Sequence, residues 1–221
     1  MKVQELLRIG SEELKNKKIA SYLLDSEILL SRVLNKKKEE IFLSPDENID
    51  ADKVILFKDL IKRRSKREPV AYIIQNKEFW SKNFFVNNKT LIPRPETELM
   101  VEYLAKIFLG KSINILDIGT GTGCILISLL SELKKSRGLG IDISKDSIEI
   151  AKINARKHVF TEKIRFKNIS FTRLFDRKFD LIVSNPPYIK KSVIKNLAED
   201  IKNFEPRMAL DGGNDGLDVI K

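Results

Sequence analysis

The sequence is poor in the side chains that build disulfides and metal sites. Its 221 residues include one cysteine, Cys124, and one histidine, His158. A lone cysteine excludes an intrachain disulfide and a cysteine-based zinc site, so we expect a reducing, cytoplasmic setting. No apolar run approaches the ~20 residues that span a membrane. The N-terminus contains acids and lacks the apolar stretch of a signal peptide.

Positive charge exceeds negative charge along the whole sequence. The net charge of +10 divides into 17 Lys and Arg against 13 Asp and Glu in residues 1–77, and 24 against 18 in the remainder. A nucleic-acid-binding arm concentrates its basic side chains, so this even spread predicts only weak or indirect contact with nucleic acid. The densest basic cluster is predicted to be the solvated end of a helix, and it comprises Lys62, Arg63, Arg64, Lys66 and Arg67.

Apolar side chains recur with helical spacing through the first part of the sequence. A turn-forming stretch, residues 44–48, separates the last two of three apolar stripes. The pattern predicts a small helical bundle over residues 1–75, with the stripes in its core. The stripes are Val3, Leu6, Leu7 and Ile9, then Leu23, Leu24, Ile28, Leu29 and Val33, and then Val54, Ile55, Phe57, Leu60 and Ile61.

Aromatic residues dominate the segment that follows the helical region. They predict a β-hairpin or extended linker over residues 76–92, with Asn87-Asn88 as a turn. Pro95 then fits the first turn of a helix that continues to Phe108 and stops at Gly110.

Strands and helices alternate from residue 113 onward. Strands are predicted at residues 113–118, 138–143, 164–169 and 179–184, and helices at residues 125–133 and 147–157. Continuous apolar runs such as residues 181–183 are typical of a parallel sheet buried on both faces. Repeated βα units predict an α/β fold with a Rossmann-like, doubly wound sheet that binds ligands at the carboxyl ends of its strands.

A glycine-rich turn follows the first of these strands. It consists of Gly119, Thr120, Gly121, Thr122 and Gly123. Glycine at alternate positions allows a tight turn and close approach of the backbone to a ligand at the start of a helix. A dinucleotide-binding turn would have glycine at position 124, where this sequence has Cys124. The pattern therefore weakens the dinucleotide interpretation, and Cys124 is interpreted as a small packing residue.

Two acids accompany the glycine-rich turn. Asp142 ends the next strand, where a carboxylate can accept hydrogen bonds from both hydroxyls of a ribose. It could instead cap the following helix, although Ser144 or Asp146 could fill that role. Asp117 precedes the turn and either orients the loop or holds the ammonium group of an amino-acid moiety.

A second candidate site follows the fourth strand, at Asn185-Pro186-Pro187-Tyr188. Two prolines restrict the backbone and remove two N–H donors, so the C=O groups of Asn185 and Pro186 are free to accept hydrogen bonds. The Asn185 side-chain oxygen and the Pro186 C=O could bind both protons of a planar NH₂ group and align its nitrogen with a reactive centre. Tyr188 adds an aromatic face. A simple Pro-Pro turn is the alternative interpretation.

Together, the two sites resemble those of class I S-adenosylmethionine-dependent amino-methyltransferases. More closely, the sequence is similar to the release-factor glutamine methyltransferases (the HemK/PrmC family). Asn-Pro-Pro-Tyr also occurs in adenine-N6 and RNA methyltransferases, whereas the Pro-Arg-Pro-Glu segment is far more specific to the glutamine enzymes. The matching stretches are residues 67–72, 78–80, 91–98, 116–123, 183–188 and 204–206, in family order.

The resemblance implies a reaction and its site residues. A methyl group would pass from S-adenosylmethionine to the glutamine of the Gly-Gly-Gln motif in peptide-chain release factors, giving N5-methylglutamine and S-adenosylhomocysteine without a metal. The implied cofactor-binding residues are Asp117, Gly119, Thr120, Gly121, Thr122, Gly123, Asp142, Phe171 and Asn185. The implied catalytic residues are Asn185, Pro186 and Tyr188, and Pro187 would join them in binding the glutamine.

The resemblance also implies a domain organisation for a monomeric protein. Residues 1–75 would dock the release factor, residues 76–92 would form a hairpin or linker, and residues 93–221 would form the methyltransferase domain. Gln75 stands where the family often has glycine, and Ser170 where it often has an acid beside the adenine. Residues 211–218 resemble the start of a helix, so we expect the sheet to be incomplete at Lys221 and the family fold to continue beyond it.

Two alternatives remain open. Asn-Pro-Pro-Tyr and the basic charge also suit an adenine-N6 methyltransferase acting on DNA or RNA, which would flip its target base out of the stack. An incomplete sheet with an exposed strand edge also suits an inactive module that only binds the cofactor.

Overall fold

The computed structural model describes residues 1–174 and 177–221. These residues divide into two compact units: residues 1–74 with residues 199–204, and residues 75–198 with residues 205–221. Each unit has its own cluster of buried apolar side chains. Among the described residues, no helix has both the length and the apolar character needed to cross a lipid bilayer.

The first unit is helical, as its amphipathic sequence predicts. Its helices are α1 (Val3–Asn16), α2 (Tyr22–Leu34), α3 (Lys38–Leu43), α4 (Ala51–Ser65) and α5 (Val70–Ile74). Leu6 on α1, Leu29 on α2 and Phe57 on α4 are fully buried in one cluster. Each of these helices therefore turns an apolar face toward a shared core.

Three residues that the spacing places in this core are exposed instead. Leu23 and Leu24 on α2 and Ile55 on α4 face outward. The buried face of α2 includes two polar residues, Asp25 and Ser26. Since these polar groups find partners on neighbouring helices, that face of α2 is buried even though Leu23 and Leu24 are more apolar.

The basic cluster at the end of α4 is only partly solvated. Arg64 is buried, and its Nε donates to Asp25 Oδ2 at 2.6 Å, with both side chains 8% exposed. Its Nη1 donates to the Glu68 C=O at 3.2 Å. The prediction of a solvated helix end is therefore wrong for Arg64, whose charge is neutralised inside the unit.

The second unit begins with a short hairpin, formed by β1 (Lys77–Phe79) and β2 (Lys82–Phe84). The turn lies at Trp80 and Ser81, which both have φ of +52°. Positive φ at both central residues is the geometry that matches the twist of paired strands. The hairpin is therefore confirmed, and Asn87-Asn88 forms the predicted turn just after it, where the Thr90 N–H donates to the Asn87 C=O at 3.2 Å.

A parallel sheet forms the centre of the second unit. Its described strands are β3 (Asn114–Ile118), β4 (Arg137–Asp142), β5 (Ile164–Asn168) and β6 (Leu181–Ser184), in the order β5-β4-β3-β6. The helices that alternate with or precede the strands are α6 (Thr97–Ile107), α7 (Cys124–Glu132) and α8 (Lys145–Lys157). The predicted α/β fold with a parallel sheet is confirmed.

The order of the strands decides which loops lie side by side at the carboxyl edge of the sheet. The carboxyl ends of β3, β4 and β6 lie side by side, because these strands are neighbours and parallel. Within the described residues, β6 pairs with β3 alone and exposes Ile182. Residues 213–215 form a turn, and the Lys221 N–H donates to the Leu217 C=O at 3.1 Å, so the helix start expected over residues 211–218 stays a prediction. The short helix α9 (Glu199–Phe204) belongs to the first unit.

Candidate active site

The glycine-rich turn lies between β3 and α7. Gly119, Gly121 and Gly123 have φ of +71°, +54° and +78°, in the left-handed region that side chains with a Cβ rarely adopt. The N–H of Gly119 donates to the Ile141 C=O at 2.9 Å, which attaches the turn to β4. These three positions therefore require glycine because of the backbone conformation itself.

Asp142 at the end of β4 holds two neighbouring loops together. Its Oδ2 accepts from the Gly121 N–H at 3.0 Å and its Oδ1 accepts from the Ser144 N–H at 2.8 Å. Burial raises the pKa of this carboxyl, and the two backbone N–H donors counteract that shift. Ser144 caps α8 by accepting from the Ser147 N–H at 3.2 Å, so the cap does not depend on Asp142.

Asp117 lies beneath the same turn and is completely buried. Its Oδ2 accepts from Thr120 Oγ1 at 2.7 Å, which supports its predicted part in orienting the loop. Its Oδ1 has no hydrogen-bond partner in the described part of the chain. Burial raises the pKa of Asp117 to about 7, against the lowering effect of Thr120, and Asp142 adds a smaller repulsion.

The remaining residues of the turn pack inward. Thr122 is buried, and its C=O accepts from Asn154 Nδ2 at 2.9 Å. Cys124 is buried in the hydrophobic cluster, and burial raises the pKa of its thiol to about 12. A thiol in that environment is protonated and inert at neutral pH, in agreement with its interpretation as a packing residue.

The second predicted site follows β6. Asn185 is half-buried, and its Nδ2 donates to Thr97 Oγ1 at 3.4 Å, which leaves its side-chain oxygen as an acceptor. Pro186 and Pro187 are half-buried as well, whereas Tyr188 is 66% exposed. Asn185 and Tyr188 share a cleft of about 300 Å³, and the other residues that line it are Arg94, Glu96, Thr97, Met100 and Ser184.

One hydrogen bond connects the two sites. Ser184, just before Asn185, donates its Oγ to the Ile118 C=O at 2.9 Å, and Ile118 immediately precedes Gly119. The glycine-rich turn and the Asn-Pro-Pro-Tyr loop therefore leave adjacent strands at the same edge of the sheet. Phe171 follows β5 in a short 3₁₀ turn and is 43% exposed, next to the strand that carries Asp142. The binding roles of these residues stay predictions.

Sequence reasoning missed the residues that hold the site from a distance. Asn154 on α8 and Glu205 were not singled out for a role there, although both are buried polar residues with several hydrogen bonds. Glu205 Oε1 accepts from Arg94 Nη2 at 2.7 Å, beside the cleft. The Pro-Arg-Pro-Glu and Phe-Glu-Pro segments that carry the resemblance contain this pair, so the motif positions were the available signal.

Comparison with known proteins assigns the sequence to a family. The sequence is 42% identical to the release factor glutamine methyltransferase of Buchnera aphidicola, over all of this chain and 79% of that protein. The chain belongs to the release factor glutamine methyltransferase family. Its relative in Nitratidesulfovibrio vulgaris is 37% identical over 98% of this chain and 74% of its own length.

Further matches agree with this assignment. Residues 5–74 match the PrmC N-terminal domain, and residues 109–208 match a methyltransferase domain. The bifunctional methyltransferase of Rickettsia felis is 38% identical over 99% of this chain, which spans 47% of that longer protein. The crystal structure of the hMettl16 catalytic domain with an RNA hairpin matches with a TM-score of 0.52 and 17% identity, covering 73% of this chain and 60% of that one. This structural likeness shows the shared fold.

The described residues suit a cofactor with a positively charged amino-acid moiety and a ribose. The unpartnered Asp117 Oδ1 is a buried acceptor directly beneath the glycine-rich turn. The Asp142 carboxylate is held in place by backbone N–H groups. Residues 1–174 and 177–221 contain no group of three or more His, Cys, Asp or Glu side chains that could hold a metal ion.

Proposed function

We propose that this chain methylates the side-chain amide of the glutamine in the Gly-Gly-Gln motif of peptide-chain release factors, using S-adenosylmethionine. One observation carries the proposal. The glycine-rich turn after β3 and the Asn-Pro-Pro-Tyr loop after β6 lie on neighbouring parallel strands, joined by the hydrogen bond from Ser184 to Ile118. A cofactor on the turn and an amide on the loop would thus meet at one edge of the sheet.

The turn and its two acids would bind the cofactor. Backbone N–H groups at the start of α7 and the left-handed glycines allow a ligand to approach the main chain closely. Asp142 would accept hydrogen bonds from ribose hydroxyls, and Asp117 would offer its free oxygen to the ammonium group. Phe171 would contact the adenine from the end of β5. When bound, S-adenosylmethionine supplies a methyl group on a positively charged sulfur.

The Asn-Pro-Pro-Tyr loop would prepare the acceptor. An amide nitrogen is a weak nucleophile because its lone pair is delocalised into the carbonyl group. The Asn185 side-chain oxygen and the Pro186 C=O would each accept one amide proton, which orients the nitrogen and increases its electron density. The nitrogen–carbon bond would form as the carbon–sulfur bond breaks, which would leave S-adenosylhomocysteine as a neutral thioether, and the proton lost from the nitrogen would pass to solvent. Pro187 and Tyr188 would shape the pocket around the glutamine.

The wider organisation follows from the same proposal. Residues 1–75 would dock the release factor, residues 76–92 would act as the linker, and residues 93–221 would carry the transfer site. The partner would be a cytoplasmic translation protein, so the chain would act in the cytoplasm. It would act as a monomer and with only weak or indirect nucleic-acid contact.

The test is methyl transfer from labelled S-adenosylmethionine to a purified release factor. We expect label in the release factor, none in a variant whose Gly-Gly-Gln glutamine is replaced by glutamate, and a loss of about 100-fold or more with Asn185→Ala. Asn88→Ala, which changes an exposed asparagine, is the matched control and should keep full activity.

The same preparation separates the alternatives. Labelled DNA or RNA beside an unlabelled release factor would reverse the choice of substrate. Cofactor binding by calorimetric titration without transfer to either substrate would support a module that only binds the cofactor. Robust transfer by Asn185→Ala would overturn the role of that side chain.

A further inference from the structure

Residues 210–213 are bound along the loop that follows the Asn-Pro-Pro-Tyr motif. The Ile189 N–H donates to the Leu210 C=O at 3.1 Å, and the Gly212 N–H donates to the Ile189 C=O at 2.9 Å. The Lys191 N–H donates to the Gly213 C=O at 2.8 Å. These bonds form a parallel bridge between Ile189 and Asp211. The backbone just after Tyr188 is thereby fixed by a segment that is distant in sequence.

Two glycines, Gly212 in this segment and Gly216 just after it, lie against the backbone of the motif itself. A Cβ on Gly216 would lie 2.5 Å from the Tyr188 carbonyl oxygen, and Gly216 has φ of +83°. A Cβ on Gly212 would lie 2.8 Å from the Pro187 carbonyl oxygen and 2.9 Å from the Tyr188 Cα. The neighbouring atoms are backbone, so they could yield only by moving the loop. Only glycine allows this close approach.

Arg94, another residue that lines the cleft, is attached to the chain a few residues before this segment. Glu205 is buried, its Oε1 accepts from Arg94 Nη2 at 2.7 Å, and its Oε2 accepts from the Ile92 N–H at 3.5 Å. Arg94 lines the cleft with Asn185 and Tyr188, whereas Glu205 and the two glycines do not line it. Residues 205–216 thus contact both Arg94 and the Asn-Pro-Pro-Tyr loop.

We propose that residues 205–216 are a positioning segment that sets the distance between Arg94 and the Asn-Pro-Pro-Tyr loop in the acceptor cleft. Gly212 and Gly216 place Pro187 and Tyr188, and Glu205 places Arg94. This inference rests on the proposed function. Methyl transfer requires the acceptor nitrogen in line with the methyl group, and a displacement of about 1 Å can reduce a rate by about 100-fold.

Gly216→Ala tests the inference, with Gly110→Ala as its matched control. Gly110 has nearly the same backbone conformation, with φ of +76°, but a Cβ there would meet no atom within 4 Å. Both variants therefore introduce similar backbone strain, and only Gly216→Ala pushes on the loop. We expect Gly216→Ala to reduce kcat on the release factor at least tenfold and to leave the KM for S-adenosylmethionine within twofold. Gly110→Ala should keep the wild-type kcat.

Amide hydrogen exchange gives a readout that does not depend on activity. Exchange at Ile189 and Lys191 should accelerate at least tenfold in Gly216→Ala and stay at the wild-type rate in Gly110→Ala, because these amides donate to the positioning segment. If Gly216→Ala fails to fold, Glu205→Gln, of nearly the same shape, decides the question. The reduction of kcat in Glu205→Gln should be several-fold smaller than the reduction in Glu205→Ala.

The outcomes separate the inference from the proposed function. An active wild type with unchanged kcat in Gly216→Ala, or unchanged exchange at both amides, overturns the positioning role. A wild type that transfers no methyl group defeats the proposed function instead. Faster exchange in Gly216→Ala would in that case still support the placement of the loop by this segment, and unchanged exchange would overturn it.

Discussion

The side chain of Asn154 binds both backbone groups of Phe85, as an opposing strand would. Asn154 Oδ1 accepts from the Phe85 N–H at 2.7 Å, and Asn154 Nδ2 donates to the Phe85 C=O at 3.0 Å. The same Nδ2 donates to the Thr122 C=O at 2.9 Å. One buried amide on α8 therefore ties the residue after the β1–β2 hairpin to the glycine-rich turn.

Replacing Asn154 with alanine should weaken both the fold and the cofactor site. The change leaves Phe85 and Thr122 with unpaired backbone groups, and each buried unpaired group costs about 1–3 kcal/mol. We expect the free energy of unfolding, measured by urea denaturation, to fall by about 3 kcal/mol or more. Affinity for S-adenosylmethionine should also fall, because the turn loses a restraint. Arg156→Ala, on the exposed side of α8, should change neither quantity appreciably.

The buried carboxyl of Asp117 should make the stability of the cofactor-free protein depend on pH. Burial raises its pKa in the folded chain to about 7, from an ordinary value of 3.8. The folded protein therefore binds a proton between these values that the unfolded chain releases. The resulting stabilisation is complete below the lower pKa and is lost as the pH rises through about 7.

Asp117→Asn should remove this contribution. Between pH 5 and 7, the unfolding free energy of the wild type should decline more steeply than that of Asp117→Asn, by up to about 1.4 kcal/mol per pH unit. Asp52→Asn, at an exposed position of α4, should retain the wild-type slope. Urea denaturation at several pH values measures the difference, and equal slopes in wild type and Asp117→Asn would contradict the shifted pKa.

Breaking the buried pair of Arg64 and Asp25 should destabilise the first unit much more than replacing both residues with apolar ones. Arg64→Met leaves the Asp25 carboxylate buried without its partner, so we expect the first unit to lose about 3–5 kcal/mol of stability. The double variant Asp25→Leu with Arg64→Met should recover most of that loss. Arg63→Met breaks a more exposed pair with Glu68 and should cost about 1 kcal/mol or less. A double variant no more stable than Arg64→Met would contradict this explanation.

Gln75 keeps a backbone conformation that suits glycine. Its φ is +54°, and the side chain is exposed. Left-handed backbone costs a residue with a Cβ about 1–2 kcal/mol, and replacement by glycine relieves this strain. The greater freedom of glycine in the unfolded chain offsets part of the resulting gain in stability. Gln75→Gly should therefore raise the unfolding free energy by about 0.5–1 kcal/mol. Asn35→Gly, at φ of +52°, should gain less because asparagine tolerates this conformation.

Local patterns predicted the features that depend on neighbouring residues. The helical stripes placed α1, α2 and α4, and the alternating apolar segments placed β3 to β6 within two residues of their observed starts. The left-handed glycines of the turn at Gly119 and the proximity of Asp142 followed from residue type and strand order. Such features are local because backbone sterics and side-chain periodicity act over a few residues.

Other features depended on partners that are distant in the chain. Trp80-Ser81 does not have the composition of a turn, yet the hairpin turns there. The Trp80 N–H donates to Glu98 Oε1 at 2.9 Å, and its Nε1 donates to Glu132 Oε1 at 2.8 Å. Residues 210–213 likewise pair with the loop after Tyr188, which their own composition does not indicate. In both cases long-range hydrogen bonds accompany a structure that local composition does not predict.

By itself, the sequence determined the α/β class, the glycine-rich turn and the Asn-Pro-Pro-Tyr loop, because these follow from local sterics and the order of the strands. Only the tertiary structure decided which distant residues hold the loops of the site in place. Asn154, Glu205 and Gly216 act through atoms dozens of residues away in the chain. A buried hydrogen bond or a close backbone approach depends on how distant segments pack, and residue type alone does not specify the partner.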